Sequence, residues 1–166
     1  MLRGHAFNSS ADFEVVRDIK ETMSYIAYDI QRERKLATET CFVDREYVLP
    51  NKSVIRIGRE RFEAGEILFN PGLIDLEHEG IAKLIFDTIQ KSPIDTRKQL
   101  YSSILLSGGS TMFPGFPNRV VKDLEMIFKW DVMKGWDYDS GIKIKVLDPF
   151  YRKHAVFIGG SILAGF

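Results

Sequence analysis

The stretch Ser107-Gly108-Gly109-Ser110-Thr111-Met112-Phe113-Pro114-Gly115 is the part of this sequence best suited to chemistry. It follows a short apolar run, Ser103-Ile104-Leu105-Leu106, that predicts a buried strand, and it precedes a helical pattern from Phe116 to Phe128. Glycines at a strand-to-helix turn let the backbone approach a ligand, and the freed amides of such a turn favour anionic oxygens. Ser110, Thr111, Met112 and Phe113 add hydroxyl, apolar and aromatic surface beside them. A second strand–Gly–Gly pattern recurs at Phe157-Ile158-Gly159-Gly160. There Ser161-Ile162-Leu163-Ala164 follows with no turn chemistry, so close packing of helix on strand is the simpler expectation. For the first copy, spacing alone leaves a ligand turn and tight packing both open.

A second group lies on the first predicted helix, where Arg17, Lys20, Glu21 and Ser24 fall on one stripe at three- and four-residue steps. By themselves these residues describe a solvated face. Set against a glycine turn, the cations would lie along a nucleotide and Glu21 would accept bonds from sugar hydroxyls. Other constellations fail. His5, His78 and His154 lack metal-ligand spacing, and Cys41 has no histidine companion. There is no Walker Gly-Lys-Ser/Thr and no Gly-x-Ser-x-Gly elbow. Asp137 and Asp139 fall in a turn-like stretch that suits solvation better than acid–base work. No catalytic group and no metal ligand is expected among these residues.

The elements that must position the two groups follow from patterning. Ser9 to Asp12 has capping-box spacing, and Phe13, Val16, Ile19, Met23, Ile26 and Ile30 predict one amphipathic helix to about Arg34. Glu46–Leu49 and Ser53–Ile57 predict a hairpin about Pro50-Asn51-Lys52. Phe62 to Leu76, carrying Gly65, Pro71 and Gly72, reads as a short helical turn and connector. Gly80 to Lys91 is helical with Ile81, Leu84, Ile85 and Ile89 on one face, and Pro93 opens a further helix to Tyr101. Strands are expected at Ile142–Val146 and Ala155–Ile158. Helices alternating with strands make this an α/β chain.

Composition narrows the partners. The 166 residues are 45% hydrophobic and 28% charged, as in a globular protein. Twenty-three basic residues balance 23 acidic ones with no long basic run, which argues against nucleic acid. No apolar stretch approaches the roughly 18 residues of a membrane span. The single Cys41 excludes an internal disulfide and fits a reducing compartment, so cytoplasm is expected. Both ends stop inside a recognisable pattern, Met1 to His5 as a helix end and Ser161 to Phe166 as a helix start, so a truncated chain is expected. Trp130 and Trp136 lie in Phe128–Gly141, where they either offer aromatic anchors on a loop to a protein partner or cap the neighbouring helix.

Three segments together resemble the actin family. Glu14 to Glu21 looks like its nucleotide-proximal helix, Leu106 to Gly115 like its adenosine motif, and Arg152 to Ala164 like the segment returning the chain to the first half of the fold. The resemblance covers essentially the whole chain. Within the family the match is best to the actin-related subunit of the complex that nucleates branched filaments. Arg3 to Glu14, Arg34 to Thr40, Val132 to Gly135, and Asp148-Pro149 with Arg152 to His154 carry that preference. Conventional actin and chromatin-remodelling relatives are the alternatives, and a sugar kinase or chaperone-type ATPase of the superfamily is a more remote one. The chain departs from the family pattern at Gly65 and Gly72, at Asn51-Lys52 in place of an Asp-Gly turn, and at Phe150-Tyr151.

The resemblance implies an actin-like, ribonuclease H-like ATPase lobe. Residues 1–76 would form most of subdomain 4, residues 77–154 subdomain 3, and residues 155–166 the start of the return to subdomain 1. The cofactor would be ATP, with Mg2+ or Ca2+ held mainly by the half this chain does not contain. Arg17, Lys20 and Glu21 would face the ribose and base edge. Gly108 and Gly109 would back the phosphates, and Ser110, Thr111, Met112, Phe113 and Lys153 would surround the base. Both phosphate loops and the metal-holding carboxylates of the family are missing, so these residues alone are not expected to hydrolyse ATP. The implied partners are the other subunits of the nucleating complex, the actin filament and nucleation-promoting factors, in the cytoskeleton.

Overall fold

A computed structural model of the chain describes residues 7–134 and 141–165. The reading of Met1 to His5 as a helix end, and Trp136, Asp137 and Asp139 with it, lie outside the described residues. The chain divides into two compact units, Met1–Glu66 and Ile67–Phe166.

In the first unit, α1 (Ser10–Met23) opens on the expected capping box. The Ser9 hydroxyl accepts from the Asp12 N–H at 3.2 Å, and the Asp12 carboxylate accepts from the Ser9 N–H at 2.9 Å. Those bonds hold the Asp12 carboxyl below its usual range. The single helix expected to Arg34 is in fact two. The chain turns extended at Ser24 (ψ 152), and α2 (Ile30–Glu39) starts afresh where Asp29 accepts from the N–H groups of Gln31 and Arg32. The gap is held by the core: the Tyr25 N–H donates to the Arg61 carbonyl at 3.0 Å, and Ile26 and Ala27 are buried. Apolar spacing that mimics a helix here belongs to a buried loop.

The hairpin β1 (Arg45–Val48) and β2 (Val54–Ile57) pairs antiparallel as expected, with Tyr47 opposite Ile55. Helix α3 (Glu60–Glu66) then places Phe62, fully buried, against Ala27 and Val43. The Arg61 guanidinium donates to the carbonyls of Met23 and Val43 and lies 5.0 Å from the Tyr25 ring centre. Tyr25 donates its hydroxyl to Glu33, and burial followed by that bond pushes the hydroxyl's pKa well up. Gly65 explains one departure from the family pattern, since a Cβ there would run into the Ile26 side chain and the Tyr25 carbonyl.

The second unit packs α4 (Ile81–Lys91) on α6 (Phe116–Asp131). The buried face of α4 is Ala82, Phe86 and Ile89, while Leu84, expected inside, is exposed. Phe116, Val120, Leu124 and Phe128 answer from α6. Helix α5 (Ile94–Tyr101) delivers Tyr101, whose ring meets Phe128 edge-on at 5.3 Å and whose hydroxyl accepts from Gln90. Arg119, paired with Asp123 at 2.9 Å, lies over the Phe69 ring.

Strand β3 (Ile104–Leu105) pairs in parallel with β4 (Val146–Leu147), the connection between them carrying α6. The strand expected over Ile142–Val146 is thus shorter and shifted. Ser102 and Ser103 still donate to the carbonyls of Gln99 and Leu100 as helix-end turns, and the first bond between the two segments is Lys145 N–H to the Tyr101 carbonyl at 2.9 Å. The expected strand Ala155–Ile158 is instead the first turn of α7 (Ala155–Ala164), because the turn Tyr151 to His154 already feeds helical bonds into it, including Ile158 N–H to the His154 carbonyl at 3.0 Å. Gly159 and Gly160 sit inside that helix with open space where a Cβ would stand, so the expected close packing is not seen in the described chain. Trp130 lies in the last turn of α6, with the helix rather than a loop, and is exposed there.

The hairpin turn yields a test. The Lys52 N–H closes the turn on the Leu49 carbonyl at 2.8 Å, and Lys52 itself sits left-handed at φ 66, where glycine is favoured. Lys52→Gly is expected to stabilise the fold by at most about 1 kcal/mol, since relieved strain of roughly 1–2 kcal/mol is offset by the roughly 0.4–1 kcal/mol that glycine's freedom gives the unfolded chain, read as a raised midpoint in denaturant unfolding of the complete protein.

Candidate functional site

The glycine-rich turn begins where the β3–β4 ladder ends. The Leu106 N–H donates to the Leu147 carbonyl at 2.9 Å, and its side chain is buried. Two residues on, the Gly108 N–H donates to the Arg152 carbonyl at 2.9 Å. Gly108 adopts φ 97 and ψ 161, a backbone region that side chains rarely enter. A 3-10 turn, Gly109–Met112, follows and is closed by Thr111, whose N–H and hydroxyl both donate to the Gly108 carbonyl at 3.2 and 2.7 Å. Gly115, left-handed at φ 84, then launches α6 with Pro117 in its first turn.

This turn presents what a ligand would need. Gly109 and Ser110 are exposed, and no atom lies within 4 Å of where a Cβ on Gly108 or Gly109 would stand. Thr111 is buried and structural, while Met112 is partly open and Phe113 half-buried. Lys153 is exposed, and its neighbour Arg152 bonds Gly108. Within the second unit, then, the structure brings together Gly108 to Phe113 and the chain at Lys153, although these are distant in sequence. Sequence reasoning gave no role to Arg152 itself. Its one signal was membership of the Arg152 to Ala164 segment that resembles the actin family.

In the first unit, Arg17, Lys20 and Glu21 are exposed on α1. Arg17 donates through Nε to Glu21 at 3.2 Å and lies 3.5 Å from Glu14, and the Glu21 bond foremost raises its pKa. Ser24, the fourth residue of the stripe, is instead buried at the end of the helix. Asp18, one turn away, accepts from the Tyr47 hydroxyl at 2.6 Å, which fixes α1 against the hairpin. Among the described residues no group of three His, Cys, Asp or Glu side chains is arranged to hold a metal ion, and no helix is long and apolar enough to cross a membrane.

Comparison with known proteins places this geometry. The family model for actin matches residues 2–166. The chain belongs to the actin family. This actin-family chain is 48% identical over 165 residues to Actin-related protein 2 of Acanthamoeba castellanii, covering 99% of the chain and 42% of that protein. It is 50% identical over 165 residues to the proteins of the same name from Caenorhabditis briggsae and Drosophila melanogaster, again covering 99% of the chain and 42% and 41% of theirs. The chain therefore spans about two fifths of the length of these relatives. The mixed helix and strand content expected from the sequence is that of an actin-like ATPase lobe.

The two glycines separate backbone need from open space. Gly108→Ala is expected to destabilise the complete protein by about 1–3 kcal/mol through its left-handed φ alone, since the space beside it is free. Gly109→Ala, with equal space and no positive φ, is expected to stay within about 0.5 kcal/mol of wild type in the same denaturation experiment.

Proposed function

We propose that this chain is the adenosine-side portion of an ATP-binding actin-related subunit of the actin-related protein 2/3 complex, which nucleates branched actin filaments. The observation that carries the reading is the solvent-facing turn Gly108–Met112, with open space beside both glycines, at the end of the parallel β3–β4 pair. Exposed backbone at such a turn suits the anionic oxygens of a nucleotide. On this reading Gly108 and Gly109 back the phosphates, and Ser110, Thr111, Met112, Phe113 and Lys153 surround the base. Thr111 does so by holding the turn's shape, since it is buried and bonded to Gly108. On the first unit, Arg17, Lys20 and Glu21 serve the ribose and base edge, Glu21 as acceptor from sugar hydroxyls.

Bound ATP would supply the conformational gate by which the complete protein closes and engages its partners. The residues of this chain bind and orient adenosine; the divalent cation and the hydrolytic groups belong to the rest of the protein. The partners are the other subunits of the complex, an actin filament and nucleation-promoting factors, in the cytoplasmic cytoskeleton.

Gly109→Leu tests the nucleotide reading. The side chain fits the fold but would occupy the space a phosphate needs. In the complete protein, calorimetry is expected to show ATP affinity reduced at least about tenfold with unfolding unchanged, a loss on the order of 1.4 kcal/mol. Wild-type affinity in the folded variant would remove the turn from the site. The partner reading is tested by purifying the tagged complete protein from its own cells. The other subunits of the nucleating complex are expected to copurify in fixed ratio, whereas recovery with chromatin-remodelling subunits, or as plain filament, would replace it.

A further inference from the structure

We propose that Arg152 is the positioning residue that sets the shape of the adenosine turn, gripping it through main-chain groups without touching the nucleotide; this rests on the ATP reading of that turn. Beyond Leu106 and Leu147 the two strands stop pairing, and no regular ladder holds the segments that follow. Arg152 takes over. Its carbonyl accepts the Gly108 N–H at 2.9 Å and lies 3.4 Å from the Ser107 hydroxyl, fixing the turn's entry. Its guanidinium reaches the turn's far side: Nε and Nη2 donate to the Thr111 carbonyl at 3.3 and 3.2 Å. Nη1 donates to the carbonyls of Asp148 and Pro149 at 3.0 and 3.3 Å, which anchors the side chain to its own loop.

The arrangement closes on itself. Thr111 spends its N–H and its hydroxyl on the Gly108 carbonyl, so both residues that Arg152 holds are also tied to each other. The Arg152 side chain is only 11% exposed, so water competes weakly for these bonds, and the Asp148 carboxylate stands 4.0 Å away as a further partner for its charge. All of the donors named here end on backbone carbonyls. The neighbouring Lys153, by contrast, is exposed.

The chemistry specifies arginine. A planar fork can put two donors on one carbonyl and a third on a different loop, whereas an ammonium is a single point that cannot span both. A residue acting through shape should affect ATP and ADP alike, because both present the same base, ribose and first two phosphates to the turn.

The test uses the complete protein as wild type, Arg152→Lys and Arg152→Ala. Calorimetry with ATP and with ADP measures affinity, and amide hydrogen exchange without nucleotide measures the turn directly. Both variants are expected to lose at least about tenfold in affinity for ATP and ADP equally. Exchange should quicken at Gly108 to Phe113 and stay at wild-type rates in α4 and α6. Lysine should not rescue. If Arg152→Ala does not fold, Arg152→Lys decides the matter. A folded Arg152→Lys protein with wild-type exchange in the turn, or with wild-type nucleotide affinity, overturns the proposal. So does exchange accelerated throughout the unit, which would make Arg152 a general stabiliser. Should wild type bind no nucleotide, the ATP reading falls, and the exchange pattern alone still decides whether Arg152 shapes the turn.

Discussion

Two adjacent glycines bring no side chains of their own to a turn, and beyond the Thr111 hydroxyl on the Gly108 carbonyl its geometry must be imposed by what surrounds it. Here the imposing element is the short parallel pairing of Ile104 with Val146 and Leu105 with Leu147. Parallel strands need a long crossover, and α6 supplies it by burying Phe116, Val120, Leu124 and Phe128 against α4 and α5. The pairing brings two loops, Ser107–Phe113 and Asp148–His154, side by side. Shift the register of β4 and Arg152 no longer meets Gly108. The many apolar contacts of α6 therefore serve a local end: they let a two-residue ladder hold its register, which so short a ladder could not hold by itself.

How much of this was legible in the sequence depends on whether the signal was local. The α1 cap, the hairpin and the helix after Pro93 were legible because each is set by neighbours a few residues apart. The break between α1 and α2 was not, because Ile26 and Ile30 keep helical spacing across it while Ala27, with Ile30 against it, packs into a core that includes Phe62, a residue far along the chain. A distant partner, the Arg61 carbonyl, took the Tyr25 N–H that a continuous helix would have used. The same logic explains α7. Val156, Phe157 and Ile158 have strand-like side chains, but strand or helix is decided by whether a neighbour offers a ladder. None reaches them among the described residues, and the turn at Tyr151 to His154 hands them helical bonds instead.

For the site, residue types were legible and geometry was not. Gly-Gly-Ser after an apolar run marks a turn at Gly108, yet the same three letters at Gly159-Gly160-Ser161 lie within a helix. What distinguishes the first copy is a positive φ at Gly108 and a hydrogen bond to a residue on another loop, and neither is a property of the local sequence. Arg152 escaped notice for that reason. Its partners are carbonyls, which every residue has, so no pattern of side chains announces it.

The proposed nucleotide contacts would ask different things of α1 and of the glycine turn. On α1 the groups proposed to face the ribose are exposed and already paired with each other, Arg17 with Glu21 and Glu14. Exposed ion pairs of this kind are worth little, because water and salt screen them and two long side chains must be held still to make them. Glu21 can therefore exchange a bond to Arg17 for bonds to sugar hydroxyls at small cost, and the helix beneath it need not move. The glycine turn has no such freedom. The groups proposed to bind there are backbone amides, whose direction is fixed only by the fold, and an amide turned away from the ligand cannot be recovered by rotating a side chain. Adaptable charge on a helix and fixed amides on a turn are thus complementary solutions, and only the second needs a buried guanidinium to keep it in place.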